Sequence, residues 1–369
     1  VGQLPVPAAG PAQPFSSGAG SQRIHLVGLP HRDTTRQWEP CAYTGKILRL
    51  AGLLTGLGHQ VHLYGGPDND APVAEHVEVV SAADRRRWFA DETWDDTVFD
   101  QFDPVSAPWL VMNSRTVLAI QERIEPGDII FVTMGRAQAA IQQAFPNHVV
   151  AEPGCGYEGI LTNTPVCFES YAWMHYVWGQ TGVVDGRYFD CVIPNSFDPA
   201  DYLVSDGTGT YLLYLGRLIP RKGLEVVAEL AKRHKVVTAG QGDPIPGVEH
   251  LGVVRGAMKA ALIAGARAVL VPTTYVGPFE GVAVEAMLSG VPVITSPFGA
   301  FSETVADGIS GFRCHTLGQF HRAVAALDDL DPKTVREWAM DRFTLGAVAP
   351  QYDRWLDRLA SLYDRGWYA

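Results

Sequence analysis

The chain is poor in cysteine and has no long apolar run. Five of its 369 residues are cysteine (Cys41, Cys155, Cys167, Cys191 and Cys314), widely spread and without a C-x-x-C pair. That pattern excludes a disulfide framework and a cysteine zinc site, and it suits reduced thiols in a cytoplasmic setting. The apolar stretch 260–271 is broken by Arg267 and is too short to cross a bilayer. Positive charge is also scarce. With 29 Lys and Arg against 40 Asp and Glu, the net charge is −11, which argues against a broad polyanion-binding face. Arg85, Arg86 and Arg87 form one short basic cluster, read as a solvated helix face. Residues 1–21 are rich in Pro, Ala, Gly and Ser and lack a basic segment followed by an apolar one. They are expected to be a disordered leader rather than a secretion signal.

What the chain does have is a regular alternation of strand and helix patterns. A strand at 23–28, a polar loop, an amphipathic helix over 42–57 and a strand at 60–64 make a βαβ unit, hence a parallel sheet. Further strands are expected at 77–80, 129–133 and 148–151, with a helix inside 105–124. Glycines and aromatics crowd 152–178 without a clean period, which reads as loops plus a helix around 170–178. A short strand at 190–194 and a linker at 195–209 follow. The second half places strands at 211–215, 235–239, 248–251, 268–272 and 292–296. Between and after them come helices at 223–233, 258–265, 281–289 and 301–306. The length and this alternation predict an α/β protein of two doubly wound domains, 22–194 and 195–350. The last helix, within 351–369, is expected to pack back on the first domain.

Two glycine-flanked segments carry chemistry. In Leu215-Gly216-Arg217-Leu218-Ile219-Pro220-Arg221-Lys222-Gly223, a strand ends at Gly216, and Arg217 and Lys222 can converge on one anion. A planar guanidinium fork and a movable ammonium together suit a diphosphate. In the second segment, Val276 to Met287, a turn with Gly277 and Pro278 opens a helix whose free N–H groups can receive a phosphate. Glu285 lies a turn further inside, where a carboxylate can accept hydrogen bonds from ribose hydroxyls. Ligands of doubly wound sheets lie at the carboxyl ends of strands, where Gly216, Gly240 and the 273–277 loop fall.

Gly216-Arg217-Leu218 with Lys222-Gly223, and the helix with Pro278-Phe279, Gly281 and Glu285-Ala286-Met287, resemble the GT-B-fold retaining glycosyltransferases of family four (glycosyl transferases group 1). Residues 192–198, 236–242 and 290–294 resemble further segments of that family in the expected order. So do Gly299 with Glu303-Thr304-Val305, and 308–312. The likeness covers 190–315 and is much looser across the first half. It implies a GT-B fold, two Rossmann-like domains facing a central cleft. It also implies sugar transfer from a nucleotide-diphosphate sugar, a UDP- or GDP-sugar, to an acceptor hydroxyl, with retention and without metal. Arg217 and Lys222 would grip the diphosphate and Glu285 the ribose. Backbone around Phe279, Gly281 and Val282 would meet the distal phosphate, with Gly216, Gly240, Gly242, Pro278 and Gly299 bordering the donor.

One departure matters. The family normally carries a Glu eight residues before the ribose Glu, contacting the donor sugar. Here that position is Gly277, and an acid stands at Glu280 where a Gly is usual. Either Glu280 reaches the sugar from a reshaped turn, or the first carboxylate role is lost. On the acceptor side, the resemblance points to loops after two early strands, bringing in His31 and Thr34, then Glu152, Gly154 and Tyr157. His31 or His175 would assist proton movement. Asp68-Asn69-Asp70 has the spacing of a metal-binding D-x-D but reads as a surface turn, so no metal ligands are assigned. The acceptor stays open among small molecules, a protein side chain and a modified DNA base. A nucleotide-sugar epimerase and a non-catalytic nucleotide-sugar or carbohydrate binder are the competing readings.

Overall fold

A computed structural model of the chain describes residues 20–38, 41–89 and 103–364. The apolar runs of the first half pair side by side. β1 (Arg23–Val27), β2 (Gln60–Gly65), β3 (Glu75–Glu78), β4 (Ile129–Phe131), β5 (Val149–Cys155), β6 (Val166–Phe168) and β7 (Cys191–Val192) form one sheet. Its order is β3-β2-β1-β4-β5-β6-β7, and every pair is parallel. The second half builds another parallel sheet from β8 (Leu212–Leu215), β9 (Val236–Ala239), β10 (Glu249–His250), β11 (Ala268–Val271), β12 (Val293–Thr295) and β13 (Gly311–Arg313). Its order is β10-β9-β8-β11-β12-β13. Among the described residues, no helix is long and apolar enough to cross a membrane.

The second sheet shows why helices must cover both its faces. Along β8, Leu213 points into one core and Leu212 and Tyr214 into the other. On β11, Val269 and Val271 share the first core while Ala268 and Leu270 share the second. The period of two puts apolar side chains on both faces, which reads as a continuous apolar run in sequence. The helix Gly281–Leu288 and the helix Pro332–Phe343 close one face; Leu224–Ala231 and Leu317–Ala325 close the other.

The chain divides into two compact units. Of the described residues, one takes those within 20–169, Val183–Ile193 and 349–364; the other takes Ser170–Gly182 and Pro194–Val348. The helix Tyr171–Thr181 therefore belongs with the second sheet. Ser170 Oγ donates to Pro278 O at 2.7 Å, and the Glu303 carboxylate accepts the N–H groups of Tyr171 and Ala172 at 2.8 Å each. The helix Leu345–Asp364 contains Pro350, and its later turns pack in the first unit. There Trp355 stacks on Phe131 at 5.5 Å and donates to Phe189 O at 3.1 Å.

Several elements differ from the sequence expectation. Residues 152–155 are strand, not loop, with a register shift between Glu152 and Cys155. Pro153 has no N–H to give a ladder and Gly154 is left-handed at φ 56°, so the strand bulges there and its alternation is hidden. The 195–209 stretch is no free linker. Phe197 is buried, and its N–H and carbonyl bond to Phe343 O and Leu345 N at 2.8 and 3.1 Å. The solvated-face reading of the arginine cluster holds for exposed Arg86 and Arg87 only; Arg85 is buried in an ion pair with Asp33. The expected leader, apart from residues 20 and 21, lies outside the described residues.

Candidate functional site

At the carboxyl edge of the second sheet, two loops run backbone against backbone. Gly216 N–H donates to Ala239 O at 2.9 Å and Leu218 N–H to Gln241 O at 2.7 Å. A β-carbon at Gly240 would fall 1.8 Å from Gly216 O, and one at Gly242 2.7 Å from Leu218 O. The glycines predicted to border a donor therefore first serve close approach of these loops. The turn Pro220–Lys222 ends at Gly223, left-handed at φ 79°, where a β-carbon would meet Pro272 O at 2.1 Å. Thr274 N–H and Oγ1 both donate to Arg221 O at 3.0 Å, which fixes the loop after β11 to the turn that carries the cations.

The two predicted cations stand differently. Arg217 is half-buried, and its guanidinium has no hydrogen-bond or ion-pair partner among the described residues. Lys222 Nζ donates to both oxygens of Glu280, at 2.8 and 2.6 Å. Burial by itself would lower the Lys222 pKa, but the Glu280 carboxylate and Tyr275 together outweigh it and the net direction is upward, so the ammonium stays charged. Tyr275 lies beneath both neighbours, its ring 4.8 Å from the Arg221 guanidinium and 5.2 Å from Lys222 Nζ. Nothing in the sequence pattern singled out Tyr275.

The helix Gly281–Leu288 begins at Glu280, which is left-handed (φ 62°, ψ 66°), and no side chain caps it. Its first N–H groups, around half-buried Gly281 and Val282, are the ones an anion would use. Phe279 is a core residue, stacked on Phe197 at 6.1 Å and edge-on to Phe343 at 5.8 Å, so only its backbone is left for a ligand. Gly299 supports the turn: a β-carbon there would lie 2.5 Å from Gly277 N. Glu285 is half-buried and accepts from Lys259 Nζ at 2.9 Å. Lys259 lies on the helix Gly256–Ala264, too far along the chain for spacing to reveal the pairing.

In the first unit, the loops after β1 and around β5 gather another polar group. Glu152 is fully buried; Tyr157 Oη donates to its Oε2 and Leu161 N–H to its Oε1, both at 2.6 Å. Burial pushes its carboxyl up to about 7, against the pull of those two donors. Lys46, unnoticed in sequence, donates to Gly154 O at 2.6 Å and pairs with Glu169. Gly154 and Gly156 make room for that pair, since β-carbons there would fall 2.9 Å from Lys46 Cδ and 2.6 Å from Glu169 Oε1. His31 is buried and its pKa is lowered to about 3 by burial, then by Arg32 and Arg85; it is neutral at ordinary pH and a weak base. Thr34 is buried and bridges to Asn69. Asp33 holds Arg85 through two bonds of 2.5 and 2.8 Å.

Glu152, Tyr157 and Gly154 thus come together, and His31 and Thr34 sit on the loop after β1. His175 belongs to the other unit, where it is exposed on the helix Tyr171–Thr181 with its ring 5.9 Å from that of Trp178. Asp70 accepts from Arg36 N–H at 2.8 Å and Asn69 bonds to Ala71, as in a surface turn. Among the described residues, no group of three His, Cys, Asp or Glu side chains is placed to hold a metal ion.

Residues 209–329 match the family model described as Glycosyl transferases group 1. An uncharacterized glycosyltransferase of Methanocaldococcus jannaschii is 34% identical over 119 residues, which cover 27% of this chain and 30% of that protein. Among solved structures, AviGT4, a glycosyltransferase involved in avilamycin A biosynthesis, superposes with a TM-score of 0.63 at 19% identity. The match covers 92% of this chain and 98% of that one. Sucrose-phosphate synthase from Thermosynechococcus elongatus gives 0.68 at 17% identity, over 92% of this chain and 99% of the other. HepE of Anabaena, in complex with UDP and glucose, gives 0.64 at 17%, over 91% and 100%. The fold is GT-B, with two Rossmann-like units. Within the second unit, residues 209–329 resemble the group 1 glycosyl transferases.

Proposed function

We propose that this protein is a glycosyltransferase that moves a sugar from a nucleotide-diphosphate sugar to an acceptor hydroxyl, with the donor held by the second unit. The observation that carries the reading is Arg217: a half-buried guanidinium without a partner among the described residues, at the carboxyl end of β8, in a segment that matches the group 1 model. A guanidinium fork kept free at that edge suits a diphosphate. Lys222 supplies the second cation and the open start of the helix Gly281–Leu288 the N–H groups. Together they stabilise charge on the departing diphosphate, the role a divalent ion takes in other transferases. Glu285, steadied by Lys259, accepts from the ribose hydroxyls. Glu280 is the carboxylate nearest the vacant side-chain position of Gly277 and is the one we assign to the sugar. Retention and a UDP- or GDP-linked donor belong to the same reading, on the strength of the motif resemblance. The acceptor is assigned to the first unit, at the edge formed by Tyr157, Gly154 and the Lys46–Glu169 pair.

A thermal-shift panel of UDP-glucose, GDP-mannose and related nucleotide sugars tests this directly. A bound donor at a hundredfold excess over its Kd adds about 2.7 kcal/mol of stability. Stabilisation by one donor, lost in Arg217→Ala and in Lys222→Ala, is the expected result. No response to any nucleotide sugar or nucleoside diphosphate overturns the reading. Gly277 favours one alternative, a binder without turnover; it would show the shift but neither donor hydrolysis nor transfer.

A further inference from the structure

The proposal that follows rests on the nucleotide-sugar reading of the second unit's edge. Of the two cations assigned to the diphosphate, Arg217 has no carboxylate partner among the described residues and Lys222 has one. Lys222 is held by both oxygens of Glu280, in a pair whose side chains are 17% and 8% exposed. Three features show that the chain is built to bring this carboxylate to that ammonium. Glu280 adopts the left-handed conformation, which among the described residues only one other non-glycine, Asn163, shares. Asn tolerates that conformation through its short polar side chain; Glu has no such excuse. The carboxylate is not there to cap the helix it precedes, for no side-chain cap bond forms. Gly277 is not a positive-φ glycine, so its backbone does not require glycine; its space does. A β-carbon at 277 would lie 2.7 Å from Glu280 Oε1 and 2.9 Å from its Cγ. Glycine at 277 is what lets the carboxylate lie against Lys222.

A carboxylate that grips an ammonium with two oxygens copies what a phosphate does at the same cation. We propose that Glu280 is a built-in competitor for Lys222: it occupies the ammonium while the site is empty, and an incoming diphosphate displaces it by rotation of its side chain. Arg217, open throughout, makes the first contact. Lys222 then exchanges its carboxylate for a phosphate oxygen, and Glu280 is released beside the bound donor as a free acceptor of hydroxyl hydrogen bonds. The exchange lowers apparent affinity by the fraction of time Lys222 is free, and it delivers the carboxylate only once the diphosphate is seated.

Calorimetric titration of UDP and GDP into the full chain tests the exchange, with Glu280→Gln and Glu280→Gly as the variants. Gln keeps the shape and the left-handed strain; Gly removes both, so neither strain relief nor shape alone explains a shared result. The proposal expects both to bind the nucleoside diphosphate about tenfold tighter than wild type, because the competing anion is gone. The gain should vanish when Lys222→Ala is combined with either. If Glu280 merely positions Lys222, both variants bind more weakly, and the exchange is overturned. Unchanged affinity overturns it as well. Arg217→Ala separates this failure from failure of the underlying reading. If Arg217→Ala weakens binding while the Glu280 variants fail to tighten it, the exchange alone falls. If no nucleotide binds any of the proteins, or Arg217→Ala leaves binding untouched, both fall.

Discussion

Replacing Glu280 by Ala and, separately, by Gly isolates the backbone at the turn before the helix Gly281–Leu288. Both variants lose the carboxylate that Lys222 holds at 2.6 and 2.8 Å, so that loss cancels between them. They differ in how well they tolerate φ 62° and ψ 66°. Left-handed geometry costs a non-glycine residue about 1–2 kcal/mol, which Gly escapes. Gly gives back about 0.5–1 kcal/mol through the greater freedom of its unfolded chain. As the residue preceding the first helical turn it regains about 0.5 kcal/mol over Ala. The Gly variant should therefore be more stable than the Ala variant by about 1 kcal/mol, or about 2–4 °C in Tm for a unit of 150–250 residues. Scanning calorimetry of the full chain, following the transition that both variants move, measures the difference. An Ala variant as stable as the Gly variant would refute the reasoning, because the backbone at 280 would not then be held left-handed.

Two further outcomes follow from single residues. Gly223→Ala places a β-carbon 2.1 Å from Pro272 O at a left-handed φ of 79°. It should destabilise by about 2 kcal/mol or more and weaken nucleoside diphosphate binding by displacing Lys222; urea unfolding and titration with UDP read the two effects separately. Glu152 titrates near 7 in the folded chain against 4.5 unfolded, so the folded state binds the extra proton between those values. Its contribution to stability is full below pH 4.5 and is lost as pH rises through about 7. Relative to Glu152→Gln, wild type should lose about 2–3 kcal/mol across that window in urea unfolding. The His31 trend, destabilising as pH falls below 6.5, is common to both proteins and cancels. A flat difference would mean that the donors Tyr157 and Leu161 keep Glu152 ionised throughout.

The parallel sheets were legible because buried parallel strands are short apolar runs ended by glycine, as at Leu212–Leu215 before Gly216. Arg217, Lys222 and Glu285 stood out as candidates because they sit at fixed offsets from those glycines. Elements whose signal is not periodicity were missed. The strand Val166–Phe168 is only three residues long. The helix Pro332–Phe343 announces itself through Asp331, which caps Lys333 and Thr334, and through Pro332 at its start rather than through an apolar stripe. Pairings between residues distant in the chain were beyond spacing altogether: Lys46 with Glu169, Asp33 with Arg85 and Lys259 with Glu285 depend on which elements the topology brings side by side.

Gly277 and Glu280 mark the boundary between these two kinds of information. The motif pattern reveals that a carboxylate is missing from one position and present three residues later, where glycine is usual. Spacing alone leaves two outcomes open: a lost role or a relocated one. On the exchange proposed above, local geometry favours the second. A residue at 277 projects from ordinary backbone, whereas one at 280 must accept a left-handed turn, and a chain that had merely lost a sugar contact would gain nothing by placing Glu in that turn. The side chain of Glu280 fills the space that glycine leaves at 277 and closes on Lys222. The placement of Glu280 therefore depends on glycine at 277: Gly277→Ala should push the Glu280 carboxylate off Lys222 while leaving the left-handed backbone in place. That variant, titrated with UDP beside Glu280→Gln, should tighten in the same direction. Tightening in Glu280→Gln without any change in Gly277→Ala would show the two positions to be independent.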